Sequence, residues 1–156
     1  MNYRSLFLIA VGSLAFALPS PGVPDFQGKT LDGTFFSKAS LKGKPVLIQF
    51  WATWCGYCRR DQPAVEDLVE RYRGTLTVLA VSVREDRATV KRYLERSPRK
   101  SKIVLTQDTN LTSLFDPEGF PFYVLLDAEG RKVGEQRGAG GSEGLQDLLV
   151  RVGIKE

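Results

Sequence analysis

Six residues, Val46-Leu47-Ile48-Gln49-Phe50-Trp51, run with a single polar side chain into Ala52-Thr53-Trp54-Cys55-Gly56-Tyr57-Cys58, and no other stretch constrains the fold so tightly. A nearly continuous apolar run of this length fits a central strand covered on both faces. Beyond it Ala64, Val65, Leu68, Val69 and Tyr72 recur at helical spacing, so strand gives way to helix at the cysteine pair. Gly74 ends that helix just after Tyr72.

The alternation continues along the chain. Residues 76–83 read as a second buried strand, and Asp86 caps a helix that faces inward through Val90, Tyr93 and Leu94. Ile103-Val104-Leu105 is a short strand, residues 110–115 a short helix, and Phe122–Leu126 a buried strand. The Ala128-Glu129-Gly130 turn leads to a strand at 132–135, which must run antiparallel to its predecessor. Ser142 is placed to cap a last helix whose stripe is Leu145, Leu148, Leu149 and Val152. Asp32-Gly33, between strand-like neighbours, predicts a hairpin near the start. Together these give an α/β domain, a central mixed β-sheet flanked by helices.

The first residues have another logic. Arg4 supplies a positive head, residues 6–18 are mainly apolar, and Ala15-Phe16-Ala17 offers small residues for cleavage. The expected organisation is a signal peptide or N-terminal anchor at 1–17, a Pro/Gly-rich linker at 18–24, and one domain at 25–156. Export puts the thiols in a periplasm or cell-envelope space, with a possible N-terminal membrane tether.

Charge and composition exclude several functions. A formal charge of +4 is too small to argue for nucleic acid, and Arg99-Lys100-Ser101-Lys102, after Ser97-Pro98, reads as a solvated turn. The chain has no histidine, which removes imidazole bases, imidazole metal ligands and a Cys-x-x-Cys-His haem attachment. Arg59 stands where that histidine would be.

Cys55 and Cys58 are the only cysteines of 156 residues. As a structural staple they are weak, because closing a loop of about four residues contributes only about 2 kcal/mol. As a zinc half-site they lack the other ligands. As reactive thiols they are well placed: helix N–H groups and the positive end of the macrodipole stabilise a thiolate on Cys55. Cys58, one turn on, can resolve the mixed disulfide that Cys55 forms. Gly56 and Tyr57 between them tune the centre, and Arg59 and Arg60 add positive charge nearby. The competing reading is a binding module in which the reduced pair holds Cu(I), a soft ion suited to thiolates. A purely structural scaffold is a third. No cofactor or resident metal is expected.

With these residues in place, the chain from Asp25 onward resembles the thioredoxin superfamily, specifically its exported TlpA/ResA/CcmG group. The marks are Phe50-Trp51-Ala52-Thr53-Trp54-Cys55-Gly56-Tyr57-Cys58, Pro63 in the following helix, the helix-strand insertion between Asp86 and Thr106, the Leu31-Asp32-Gly33 hairpin, and the Gly119-Phe120-Pro121 turn. The resemblance implies a thioredoxin-like fold with an N-terminal β-hairpin and a redox-active Cys55-Cys58 disulfide. It also implies a cis Phe120-Pro121 bond beside the disulfide. The Phe120 backbone would then pair with an extended substrate, and Trp54, Gly56, Tyr57, Phe120 and Pro121 would form the substrate rim. Gln49 occupies the place of the buried acid of thioredoxins proper, while Asp61, three residues after Cys58, matches an acid frequent in the exported group and is the candidate proton acceptor. Peroxide-reducing relatives carry Pro and Thr where this chain has Ile48 and Ala52, which removes an activating hydroxyl. The Gly-Tyr pair resembles that of periplasmic disulfide isomerases, without their dimerisation domain. The function implied is a monomeric protein-disulfide oxidoreductase, acting as a reductant in apocytochrome c or copper-site maturation, on cysteine-containing envelope proteins and with electrons from a membrane thiol reductase. A general disulfide oxidase or isomerase is the alternative.

Overall fold

The chain folds in the order β1 (Gln27–Thr30), β2 (Phe35–Ser37), β3 (Val46–Trp51), α1 (Gly56–Arg71), β4 (Thr77–Ser82), α2 (Arg87–Arg96), β5 (Lys102–Thr109), α3 (Leu111–Phe115), β6 (Phe122–Leu126), β7 (Lys132–Arg137) and α4 (Gly141–Val150). The structure, a computed structural model, describes residues 22–155. The signal-like segment 1–17 and most of the 18–24 linker lie outside the described residues. Packing is already established at Val23, which is buried in the core ahead of Asp25.

The strands form one mixed sheet of seven in the order β2-β1-β5-β4-β3-β6-β7, and with its flanking helices this is a thioredoxin-like fold. β3 pairs in parallel with β4 and antiparallel with β6, which places it inside the sheet. All six of its residues are buried, as a strand covered on both faces requires. The pleat sorts them. Ile48 and Phe50 face a core closed by α3 and the hairpin through Leu111, Phe26 and Phe36. Leu47 faces the opposite core, where α1 and α4 contribute Val65, Leu68, Leu145 and Leu149. Trp51 continues that second face and packs with both cysteines, Val90 of α2 and Leu105 of β5.

Two elements depart from expectation. β5 runs on to Thr109, well beyond 103–105, because β1 pairs with it from Val104 out to Thr109 through a register shift, whereas β4 pairs only with 102–105. Polar residues such as Gln107 and Asp108 hid this from an apolar reading. Ser142 lies inside α4; Gly140 is the cap and makes no side-chain capping bond. The acceptor comes from α1 instead: the Gly141 N–H donates to Asp61 Oδ1 at 2.7 Å.

Docking of the hairpin onto β5 depends on Gly28. A Cβ there would lie 2.5 Å from Phe36 Cζ, 2.8 Å from Thr109 Cβ and 2.9 Å from the Asp108 carbonyl. Backbone cannot yield as a side-chain tip can. Gly28→Ala is expected to destabilise the domain by about 2 kcal/mol, read as a shifted urea midpoint.

Candidate active site

Cys55 is the N-cap of α1, in extended backbone, and its Sγ accepts from the Cys58 N–H at 3.1 Å. A sulfur in this position takes the place of a capping oxygen, so negative charge on it meets an orphan donor of the first turn. The two cysteines form a disulfide with Cα atoms 5.3 Å apart. Cys55 retains 5% exposure and Cys58 none, so only Cys55 presents surface to a partner. The strand end at Trp51 and the helix start at Gly56 fix both positions.

Aromatic groups border the exposed side. Trp54 and Tyr57 are 65% and 61% exposed, unusual for such large rings. Trp54 meets half-buried Phe120 edge-on at 5.9 Å between centroids, and Arg60 lies 4.4 Å from the Tyr57 centroid. The Phe120-Pro121 bond is cis. The Pro121 carbonyl accepts from Gly138 N–H, and no backbone partner within the described residues engages Phe120. Gly56, Tyr57, Arg59 and Arg60 line an open cleft alongside.

Glu85, an ordinary loop acid by sequence, holds the loop that presents Cys55. Its carboxylate accepts from the Thr53 N–H at 2.9 and 3.1 Å, from the Thr53 hydroxyl, and from the buried Ser82 hydroxyl at 2.7 Å. Arg59 Nη1 donates to the Thr53 carbonyl at 3.2 Å, so Thr53 is gripped at both ends. Arg84 beside Glu85 adopts φ +61°, a left-handed backbone that non-glycine residues rarely take. Glu85→Ala is expected to cost about 2 kcal/mol by stranding the Ser82 hydroxyl and to speed amide exchange at Thr53; Glu85→Gln should retain most of both.

Behind the disulfide lies a buried polar chain. Asp61 is 2% exposed. Its Oδ2 accepts from the Tyr123 hydroxyl at 2.5 Å, and its other oxygen is the one that receives Gly141. Gln49 Nε2 donates to the Tyr123 hydroxyl at 3.2 Å, while Gln49 Oε1 accepts from Arg99 Nη1 at 3.4 Å. Burial, and next the bond to Asp61, raise the Tyr123 pKa far above that of a free phenol, so the hydroxyl remains a donor. Arg99 therefore does not belong to a solvated turn. Its guanidinium lies 3.5 Å from the Trp51 ring centroid, and Ser101 is buried beside it. A string of basic residues gives no signal of this inward turn.

A thioredoxin-like sheet with an oxidised cysteine pair at the start of its first long helix, closed by a cis-proline loop, defines a thiol-disulfide oxidoreductase. The comparisons agree. The chain belongs to the AhpC/TSA family, which it matches over residues 21–151. It is 35% identical over 117 residues to the thioredoxin-like protein YneN of Bacillus subtilis, covering 69% of this chain and 64% of that one. The thiol-disulfide oxidoreductase ResA of Geobacillus thermodenitrificans is 30% identical over 124 residues, with 79% of this chain and 67% of the relative covered. Among solved structures, a thioredoxin-family thiol:disulfide interchange protein from Chlorobium tepidum superposes with a TM-score of 0.74 at 26% identity, covering 87% and 98% of the two chains.

Proposed function

We propose that this protein is an exported reductant of specific envelope proteins, with Cys55 as nucleophile and Cys58 as resolving thiol. The carrying observation is the asymmetry of the pair: Cys55 has exposed surface beneath an aromatic rim, and Cys58 has none. The Cys55 thiolate attacks one sulfur of a substrate disulfide, forming a mixed disulfide and releasing the first substrate thiolate. The Cys58 thiol gives its proton to Asp61, and its sulfur attacks Cys55 Sγ. The mixed disulfide breaks, the second substrate thiolate leaves, and the protein retains the Cys55-Cys58 disulfide, having passed two electrons to the substrate. A membrane thiol reductase restores the dithiol.

Trp54, Gly56, Tyr57, Phe120 and Pro121 receive the substrate segment, with the Phe120 backbone offered for strand pairing. The reducing direction, the apocytochrome c or copper-site type of substrate, and the periplasmic or envelope location rest on the family resemblance and the signal-like residues 1–17. Among the described residues no helix is long and apolar enough to cross a membrane. Peroxide reduction is disfavoured, because Ile48 and Ala52 are buried without a hydroxyl to offer.

The test is capture in the native envelope with Cys58→Ser in the full chain. A disulfide-linked adduct on Cys55 with one or a few cysteine-bearing envelope proteins is the expected outcome. No adduct in the envelope, from a variant that still forms a mixed disulfide with a model peptide, would refute the specific-reductase reading.

A further inference from the structure

The polar chain behind the disulfide is directional. Gln49 and Tyr123 face each other across the β3–β6 pairing, both fully buried. Donation runs from Arg99 to Gln49, from Gln49 to Tyr123 and from Tyr123 to Asp61. Every hydrogen therefore points toward the carboxylate on the helix of Cys58. At the other end Arg99 is stacked on Trp51, and Trp51 packs with Cys55 and Cys58.

Packing does not require a guanidinium here. Taking a cation out of water is costly unless it is paired, and an apolar side chain could cover Trp51 as well. Yet Arg99 Nε and Nη2 are buried with no hydrogen-bond partner among the described residues. The groups facing it are Tyr93 of α2, with its ring centroid 5.8 Å away, Glu66 of α1 and Tyr123 of β6. Glu66 is occupied by the Lys100 N–H at 2.9 Å and by the Gln62 amide. The bonded route from Arg99 to a carboxylate is the one through Gln49 and Tyr123.

We propose that Arg99 is a positioning residue for thiol exchange: through Gln49 and Tyr123 it orients the Asp61 carboxylate to take the Cys58 proton, and its charge beneath Trp51 favours the Cys58 thiolate. This rests on Asp61 being the proton acceptor. As the Cys58 sulfur attacks Cys55 Sγ, its proton passes to Asp61 and then to the departing substrate thiolate, so charge and protons balance. The cation thus serves from the α1 face of the sheet, where the chain carries Gln49 in place of a buried acid.

The experiment follows a single turnover of the reduced full chain with oxidised glutathione, in which release of the second glutathione reports attack by Cys58. Its pH profile is compared for Arg99→Met, Arg99→Lys, Tyr123→Phe, Arg99→Met with Tyr123→Phe, and Asp61→Asn. Arg99→Met and Tyr123→Phe are each expected to move the midpoint upward by about one pH unit, the double variant by no more than the larger single one, and Arg99→Lys by clearly less than Arg99→Met. Asp61→Asn is expected to slow the step about 100-fold. Unmoved midpoints in Arg99→Met and Tyr123→Phe, with Asp61→Asn slow, would overturn the role of Arg99 and leave Asp61 as acceptor. An Asp61→Asn variant with unchanged rate and profile would overturn both. Tyr123→Phe and Arg99→Lys are conservative enough to keep the test open should Arg99→Met fold poorly.

Discussion

Cys55→Ser is expected to abolish dithiol-disulfide exchange, whereas Cys58→Ser should abolish turnover and still allow one covalent event. The difference follows from position. Cys55 caps α1, its sulfur receives the Cys58 N–H, and it holds what little exposed surface the pair has. A serine hydroxyl there would be capped equally well, but its pKa lies far above that of a thiol, and it cannot attack a disulfide at neutral pH. Cys58→Ser leaves the attacking thiol in place and removes only the release step. Reduction of oxidised glutathione, with mass spectrometry of the intact chain, separates the two. Cys55→Ser should show no adduct and Cys58→Ser a stable single glutathione adduct. Catalytic turnover retained by Cys55→Ser would remove the thiol-disulfide assignment.

Asp61→Ala carries the second large effect, on stability. The carboxylate joins three elements: it stands on α1, accepts from Tyr123 on β6 and accepts from the first N–H of α4. Removing it strands a buried phenol and an unpaired helix N–H at once. Losses of this kind cost about 3 kcal/mol, corresponding to a fall of roughly 10 °C in melting temperature for a domain of this size. Asp61→Asn keeps an acceptor for Gly141 and should lose clearly less. Adding Tyr123→Phe to Asp61→Ala removes the stranded hydroxyl and should recover about 1 kcal/mol. Scanning calorimetry on the four chains checks the set. An Asp61→Ala variant as stable as the parent would show that the carboxylate does not tie α1 to α4.

The strand and helix around the cysteines were legible because local rules agree there: six buried residues, then helical spacing, then a glycine with φ +85° at Gly74. Asp86 likewise caps α2 as expected, accepting from the Thr89 N–H at 2.8 Å. What escaped depends on contacts across the sheet. Ser142 looks like a cap, but the acceptor for α4 comes from a residue 80 positions earlier. Glu85 reads as an ordinary loop acid until β4 brings it to Thr53, 32 positions away in the chain. Tyr123 reads as one more apolar strand residue, and only the antiparallel register that sets it opposite Gln49 brings its hydroxyl into a buried polar chain. Arg99 is the strongest case. Its neighbours Lys100 and Lys102 do point outward, and nothing local tells it apart from them.

The central claim is the order of the two thiols, and differential alkylation of the reduced protein tests it directly. A limiting amount of iodoacetamide is added at neutral pH, and the modified cysteine is located by peptide mass spectrometry. Cys55 is expected to be modified first, with Cys58 protected until the domain is unfolded. Modification of Cys58 ahead of Cys55 in the folded chain would contradict that order.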